Sequence, residues 1–406
     1  MDVFKEAQNY DSKKIYQVQA LYNTSSTLEF VLQPDRDHLF LSDITLNFEI
    51  EIDGNYVMDN QADKLFDSVE VIVAGEKISS RSNSNEYFLA FFFKTKANYS
   101  YNHYNNMLAP AGWWSDANIG TSFINEEIAK KKTQAIDART QRTRKDQNQK
   151  VTSRLYRYSM SIASPLFQQT KPLPSNVPIQ INFKRAKPSL AVIKCTTSAK
   201  KYYDDHSIDL IKPFLEVTAL QSEKLSKILN LRNKIVYPIE DNVIRIHTIE
   251  SGTNNVNFSA NSGGKLPKMI FTGLTTPDIF NGDEEESSTG FHRCGMSKLE
   301  LFCDNKSLPG SQVLFGENDF VDAYAKFFRQ TKMLPNPMCG KLMNLKTFGE
   351  FGNVMTAYDL SKVDPKTGWL SIKIDFEKSL TSNLVLVVFM IYEKEVIFED
   401  GCVDVK

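Results

Sequence analysis

The stretch "SVEVIVAGEKIS" at residues 68–79 returns at 298–309 as "KLELFCDNKSLP", 230 positions later and matched in residue type. Val69 stands against Leu299, Glu70 against Glu300, Val71 against Leu301 and Ile72 against Phe302. The turn pair Ala74-Gly75 stands against Asp304-Asn305, and Ile78 against Leu308. Each copy reads as a strand that enters a tight turn and leaves it. A helical echo follows. "SNEYFLAFFFKTK" (84–96) and "NDFVDAYAKFFRQ" (318–330) align with Asn85 over Asn318, Tyr87 over Phe320, Ala90 over Ala323 and Phe91 over Tyr324. Strand, turn, strand and aromatic helix therefore recur in one order at nearly one spacing. A period this long excludes a solenoid, whose units run to roughly 20–50 residues. It predicts two tandem copies of one all-β domain that carries a short helix.

The rest of the chain fits two such copies. Its 406 residues exceed the roughly 250–300 at which single cores stop growing. Period-two alternation dominates: Ile44, Leu46, Phe48, Ile50 and Ile52 alternate with Thr45, Asn47, Glu49 and Glu51. Ile179, Ile181 and Phe183 do the same, as do Ile372, Ile374 and Phe376. Side chains alternate faces along a strand, so these strands have one buried and one wet face. The run Leu384 to Tyr392, "LVLVVFMIY", is apolar on both faces and predicts a central strand packed on both sides. Turn pairs such as Asp53-Gly54 separate the strands. The two helices are expected to open on Asn85 and Asn318 as N-caps, with an acid in the first turn. The boundary falls near 222–235, where "SEKLSKILNLRNK" reads as a linking helix, giving domains 1–225 and 226–406.

Composition excludes several functions. Net charge is −1, so any polyanion contact has to be local. The N-terminus is charged and lacks the apolar core of a signal peptide. The longest apolar run is far below the roughly 20 residues of a membrane-spanning helix, so no membrane span and an intracellular location are expected. Five scattered cysteines without a CxxC pair predict buried free thiols rather than disulfides or zinc. No GxSxG, HExxH, GxGxxG or Walker loop is present. "SGGKLP" (262–267) lacks the Ser or Thr of a phosphate loop and reads as a turn. "DDH" (204–206) has no partner ligands, and His247 reads as an exposed strand residue. No enzyme activity and no cofactor are expected.

Three segments stand apart. Residues 99–125 form a long stretch rich in Tyr, Asn and Trp, and loops of this length are usually functional. Its Trp113 and Trp114 read either as interface anchors or as rings closing a loop over its own core. Residues 126–157 carry ten Lys/Arg against four Asp/Glu. This basic run, with Arg139, Arg142, Arg144 and Lys145, reads either as a solvated helical insertion or as a polyanion contact. Residues 283–286 are "DEEE". Neither charged segment has a counterpart in the other copy.

"HLFLSDITLNFEIEIDG" (38–54) followed by "LFDSVEVIVAGEKISSRSNSNEYFLAFF" (65–92) resembles the N-terminal half of the major capsid proteins of Polinton (Maverick) elements and their adintovirus relatives. "LPKMIFTGLTTPDIFNGD" (266–283), "SKLELFCDNKSLPG" (297–310) and "FGNVMTAYDLS" (351–361) are similar to segments of the C-terminal half. The chain departs from that pattern at "NGDEEESSTGF" (281–291), where the family has Asn-Pro-Phe. The resemblance implies a double jelly roll: two tandem eight-stranded antiparallel jelly rolls with short helices in loops. It implies a homotrimer with six lobes that tiles an icosahedral shell, with penton and minor capsid proteins as further partners and no sequence-specific nucleic acid. The location implied is the virion, with the nucleus or cytoplasm before assembly. Within such a trimer, Trp113 and Trp114 are the expected anchors, and Arg139, Arg142, Arg144 and Lys145 the expected electrostatic contact. The competing reading is a tandem β-sandwich module that binds a carbohydrate or protein ligand.

Overall fold

The computed structural model describes residues 12–34, 38–58, 62–78, 86–98, 142–145, 147–169, 172–173, 177–194, 208–221, 234–261, 263–283, 288–316, 319–331, 345–350, 352–364, 366–399 and 402–405. Sixteen strands carry the architecture. Eight lie in the first half: β1 (Ser12–Gln19), β2 (Thr27–Leu32), β3 (His38–Asp53), β4 (Phe66–Val73), β5 (Glu76–Lys77), β6 (Val151–Ser161), β7 (Ile179–Arg185) and β8 (Leu210–Gln221). Eight lie in the second: β9 (Ile235–Ile249), β10 (Asn255–Ser259), β11 (Met269–Thr275), β12 (Met296–Cys303), β13 (Lys306–Ser307), β14 (Met355–Asp359), β15 (Leu370–Phe376) and β16 (Leu384–Glu399). Two helices matter most, α1 (Glu86–Asn98) and α2 (Val321–Gln330).

In the first half, one sheet runs β1-β8-β3-β6 and the other β2-β7-β4-β5. In the second, the sheets run β9-β16-β11-β14 and β10-β15-β12-β13. Adding eight to every strand number of the first half reproduces the second. All pairings are antiparallel. Two facing antiparallel sheets with this crossed strand order form a jelly roll, which closes over one core and leaves few free edges. Short strands extend each half, among them Arg142–Lys145 beside β6 and Val313–Leu314 beside β12.

The repeat holds down to hydrogen-bond register. Val73 pairs with Glu76 across the first hairpin, and Cys303 with Lys306 across the second. Both turn residues take positive φ in each copy: Ala74 and Gly75 in one, Asp304 and Asn305 in the other. That is the I′ turn geometry that suits the twist of a two-residue hairpin. The Ile78 N–H donates to the Val71 carbonyl and the Leu308 N–H to the Leu301 carbonyl, both at 2.9 Å. The ladder between β4 and β7 skips Asp67, and the ladder between β12 and β15 skips Ser297. A β-bulge thus recurs at the position the sequence shift demands.

Several expectations need correction. Asn85 and Asn318 lie outside the described residues, and α2 has Phe320 at its N-cap with no side-chain cap. Asp319 takes over part of that task, its Oδ1 accepting the Val321 N–H at 2.9 Å. His247 is not a simple exposed strand residue: its ring stacks on Phe258 at 4.7 Å, and burial together with Arg245 lowers its pKa. Cys303 is buried and Cys294 half-buried, its thiol pushed up to about 11 by burial, but Cys402 is exposed. Residues 222–233, with the expected linking helix, lie outside the described residues.

The both-faces-apolar run finds its reason in the packing. β16 sits between β9 and β11, and Leu384 through Ile391 are all buried. One face closes the second core and the other lies under a helix from the first half. Among the described residues the equivalent strand β8 has no such cover: Leu215, Val217 and Ala219 are buried, while Glu216 and Thr218 between them are half-exposed.

Candidate functional site

Helix α1 is the joint between the two sandwiches. Its sequence "EYFLAFFFKTKAN" is apolar around most of its circumference, and a helix of that kind is buried on all sides. Tyr87 faces the first half: its ring meets Phe66 edge-on at 6.4 Å, and its hydroxyl accepts the Ala163 N–H at 3.1 Å. Phe92 and Phe93 face the second half. The Phe93 ring stacks on Phe291 at 5.2 Å and on Phe389 at 5.6 Å, with Phe271 at 5.8 Å. Gly273 makes room for this cluster, because a Cβ there would strike the Phe291 ring.

A charged chain borders the aromatic cluster. Lys94 Nζ lies 3.1 Å from Glu240, whose other oxygen lies 3.5 Å from Lys268, and Lys268 lies 3.0 Å from Glu393. Burial lowers the Lys94 pKa, and Glu240 offsets part of that. Burial alone would raise Glu240, but Lys94 and Lys268 together hold it below the usual carboxylate value. Further bonds cross the same joint. Tyr237 donates to the Pro172 carbonyl at 2.6 Å and Gln169 to the Pro238 carbonyl at 2.8 Å. Buried Lys64 donates to the Thr289 hydroxyl at 3.3 Å, and Ser288 to the Leu190 carbonyl at 3.1 Å.

Helix α2 is the repeat's counterpart of α1 and has a different fate. Ala323, Phe327 and Phe328 are buried, with Phe327 against Phe271, but its outer side is open. Val321 is 56% exposed and the adjoining Leu314 51%. Asp322 links them, accepting the Leu314 N–H at 3.1 Å. Helix α1 is covered by a second sandwich; α2 is partly covered by the helix Leu345–Glu350, whose Phe348 meets Phe320, Tyr324 and Phe327, and among the described residues the rest of its outer side, with Val321, Lys326 and Arg329, faces outward.

Trp113, Trp114 and Arg139 lie outside the described residues, as do 99–125 and 284–286. Arg142, Arg144 and Lys145 lie on an edge strand paired to β6, not on the helical insertion the basic composition suggested, and Lys145 is exposed. The strand aligns them along one sheet edge and does not bring them to the joint. Two features went unread in the sequence. One is the joint role of α1, for which the apolar circumference was the signal. The other is Trp369, 60% exposed and without any motif to mark it. Among the described residues no group of three or more His, Cys, Asp or Glu could hold a metal ion, and no helix is long and apolar enough to cross a membrane.

A chain of two jelly rolls with identical strand order, locked by an inter-sandwich helix, is a double jelly-roll protein. Known structures of that class overlay on it nearly end to end. The capsid of the virus PBCV-1 is 10% identical and superposes with a TM-score of 0.62 over 98% of this chain and 97% of that one. A chain of the Sputnik virophage structure is 9% identical, with a TM-score of 0.64 over 98% and 88%. The mavirus major capsid protein is 10% identical, with a TM-score of 0.57 over 97% and 90%. No family model matches the chain. A curated relative, the uncharacterized protein F54H12.2 of Caenorhabditis elegans, is 20% identical over 196 residues. That match covers 46% of each chain, so this chain spans about half the length of the relative it matches.

Proposed function

We propose that this chain is the major capsid protein of a DNA virus or virus-like element, acting as a homotrimeric building block of an icosahedral shell. The observation that carries the reading is the unequal fate of α1 and α2. Within one chain, α1 of the first sandwich is buried against the β11–β16 face of the second. Continuing the same relation from the second sandwich sets α2, with Val321 and Leu314, against the β3–β8 face of the next copy. That face carries half-buried Thr45, Asn47, Glu49, Glu216 and Thr218, and among the described residues no α-helix of its own chain covers it. Three copies joined in this way close a ring of six sandwiches. A closed ring of heterologous contacts is a stable end point, whereas an unclosed one grows into a filament. Each contact in such a ring needs on the order of 1,600 Å² of buried surface to persist.

The structural likeness to virus and virophage capsid proteins supports this reading, and the Polinton–adintovirus assignment within it rests on the sequence motifs. Penton and minor capsid proteins are the further partners it implies, and the virion its location. The competing module that binds a carbohydrate or protein ligand has no comparable support.

Light scattering on a sizing column tests the trimer. The unaltered chain is expected to elute as a trimer with a hexagonal outline in negative stain. Leu314→Glu with Val321→Glu is expected to give a folded monomer, because the two added charges would have to be desolvated in the contact. A monomeric wild type, or a double variant that stays trimeric, overturns the assembly. Trp113 and Trp114 are proposed as further anchors of the trimer, so replacing both with Ala is expected to shift the trimer toward monomer on the same column. An unchanged trimer of unchanged stability retires that role. Arg139, Arg142, Arg144 and Lys145 supply its electrostatic side, which makes assembly salt-sensitive.

A further inference from the structure

Trp369 belongs to three loops at one end of the second sandwich: the segment joining β10 to β11, the turn between β12 and β13, and the segment joining β14 to β15. These loops are tied together by hydrogen bonds. Asp304 clamps the Trp369 backbone from both sides, its N–H donating to the Trp369 carbonyl and its Oδ1 accepting the Trp369 N–H, each at 2.9 Å. Asn261, itself buried, donates to the Gly368 carbonyl at 3.0 Å and accepts the Leu370 N–H at 2.8 Å. The indole lies against Gly263, where a Cβ would come within 3.1 Å of its Cε2 and 3.2 Å of its Nε1. A large aromatic ring is therefore held in one orientation with 60% of its residue surface facing solvent.

The internal repeat supplies a control. At the equivalent place in the first half the Ala74 N–H donates to the Pro178 carbonyl, so Pro178 occupies the position of Trp369. The fold is satisfied there by a residue with no aromatic ring to present, so the tryptophan is not a requirement of the turn. The charges are rearranged around it: Lys306 stands where the first copy has Glu76, Ser307 where it has Lys77 and Asp304 where it has Ala74, and all but Ala74 are exposed. Lys265 bridges Thr367, two residues from the ring, and Lys366 lies three residues before it. Both are exposed as well, and their ammonium groups donate to exposed main-chain carbonyls, Lys265 to Glu393 at 2.9 Å and Lys366 to Ser361 at 2.6 Å, so each has to swing from that bond to meet a phosphate. The acids on these loops answer them only in part. Both Asp304 oxygens are engaged, one by the Trp369 N–H and the other by the Cys303 thiol, and Asp364 lies exposed on the Trp369 loop.

We infer that Trp369, with Lys265, Lys306 and Lys366, forms a binding site for single-stranded nucleic acid, one base stacking on the indole and the neighbouring phosphates meeting the lysines. A fixed aromatic platform bordered by cations is the arrangement that binds single strands with little sequence preference. A carbohydrate would call for several free planar amide or carboxylate groups beside the ring, and among the described residues of these loops Asn305 and Asp364 are the exposed groups of that kind left after Asp304 is engaged. The inference stands whether or not the chain assembles into a shell.

The test uses the full chain with Arg139, Arg142, Arg144 and Lys145 changed to Gln, which neutralises four of the ten cations of the other basic segment. Fluorescence anisotropy of a labelled oligothymidylate reads the affinity. Trp369→Ala is expected to weaken binding about tenfold, while Trp369→Phe retains most of it and both variants melt like the parent. Changing Lys265, Lys306 and Lys366 to Gln is expected to reduce the slope of log affinity against log salt by about 2, at about 0.7 per phosphate contact. A duplex of equal length is expected to bind more weakly, because its bases are already stacked. Equal binding by the Trp369→Ala chain overturns the site. So does capture of the chain by phosphatidylserine vesicles without binding to the oligonucleotide, which would make the indole a membrane-interface anchor instead.

Discussion

Phe93→Ala is expected to cost about 4 kcal/mol and to split one cooperative unfolding transition into two. The residue has no solvent exposure and stacks on Phe291 and Phe389, both from the second sandwich. Removing the ring leaves a cavity that neither sandwich can close, because the β-sheet beneath it and the helix above it are each fixed by their own hydrogen bonds. The lost stability is that of the joint, and each jelly roll keeps its own core. Calorimetry reads both effects. A loss below about 1 kcal/mol with a single transition would mean that other contacts hold the halves together.

Glu240→Gln is expected to destabilise the chain by about 2 kcal/mol, and adding Lys94→Met to restore most of the loss. The single change strands Lys94, which is nearly buried, without its carboxylate partner. The figure is set below that for a fully buried pair because the Glu240 side chain is 42% exposed and partly screened by water. The double variant removes the stranded charge and leaves an apolar chain against the aromatic cluster. Urea denaturation of the four proteins of this cycle gives the coupling directly. If the double variant is no more stable than Glu240→Gln, the ion pair does not hold the joint.

The same pair sets an acid limit. The Glu240 pKa is lower in the folded chain than in the unfolded one. Its stabilisation is therefore complete above the unfolded carboxylate value of about 4.3 and is lost as pH falls through the lower folded value. Glu70 and Glu300 act in the same direction, held low by Lys77 and Lys298. Lys94 has the opposite sign: burial depresses it, so its charge costs stability at neutral pH, and that cost is relieved as pH rises through its lowered pKa.

The hairpins were legible because a strand–turn–strand unit is written in adjacent residues. Ala74-Gly75 and Asp304-Asn305 look unlike as letters, yet all four adopt positive φ and close the same turn. The sequence shift between them even locates the bulges at Asp67 and Ser297. The helices were legible as helices through their aromatic spacing, but Asn318 is not the cap of α2. Capping depends on where the chain enters the helix, and at α2 Asp319 rather than an Asn makes the bond.

The candidate surfaces were less legible. Trp113 and Trp114 drew attention because tryptophan in a long loop is conspicuous, while Trp369 lay unnoticed in a short connection. Its importance comes from Gly263 and Asp304, which are 106 and 65 positions away in the chain and hold the ring open to solvent. The basic run was read from its charge total, which says nothing about the pairing of Arg142–Lys145 to β6.

Alternation, turn chemistry and the long repeat were enough to imply two all-β domains of one design, because each is a local rule obeyed along the chain. They were silent on why "LVLVVFMIY" is apolar on both faces while its counterpart in β8 is not. That difference arises when α1 crosses from one sandwich to the other and removes one sheet face from water, leaving the equivalent face of the first half wet. Covering is a relation between segments some 300 residues apart, Phe93 upon Phe389, and no periodicity within either segment encodes it. The repeat made two copies alike in strand order; packing made one helix a joint and left the other partly exposed.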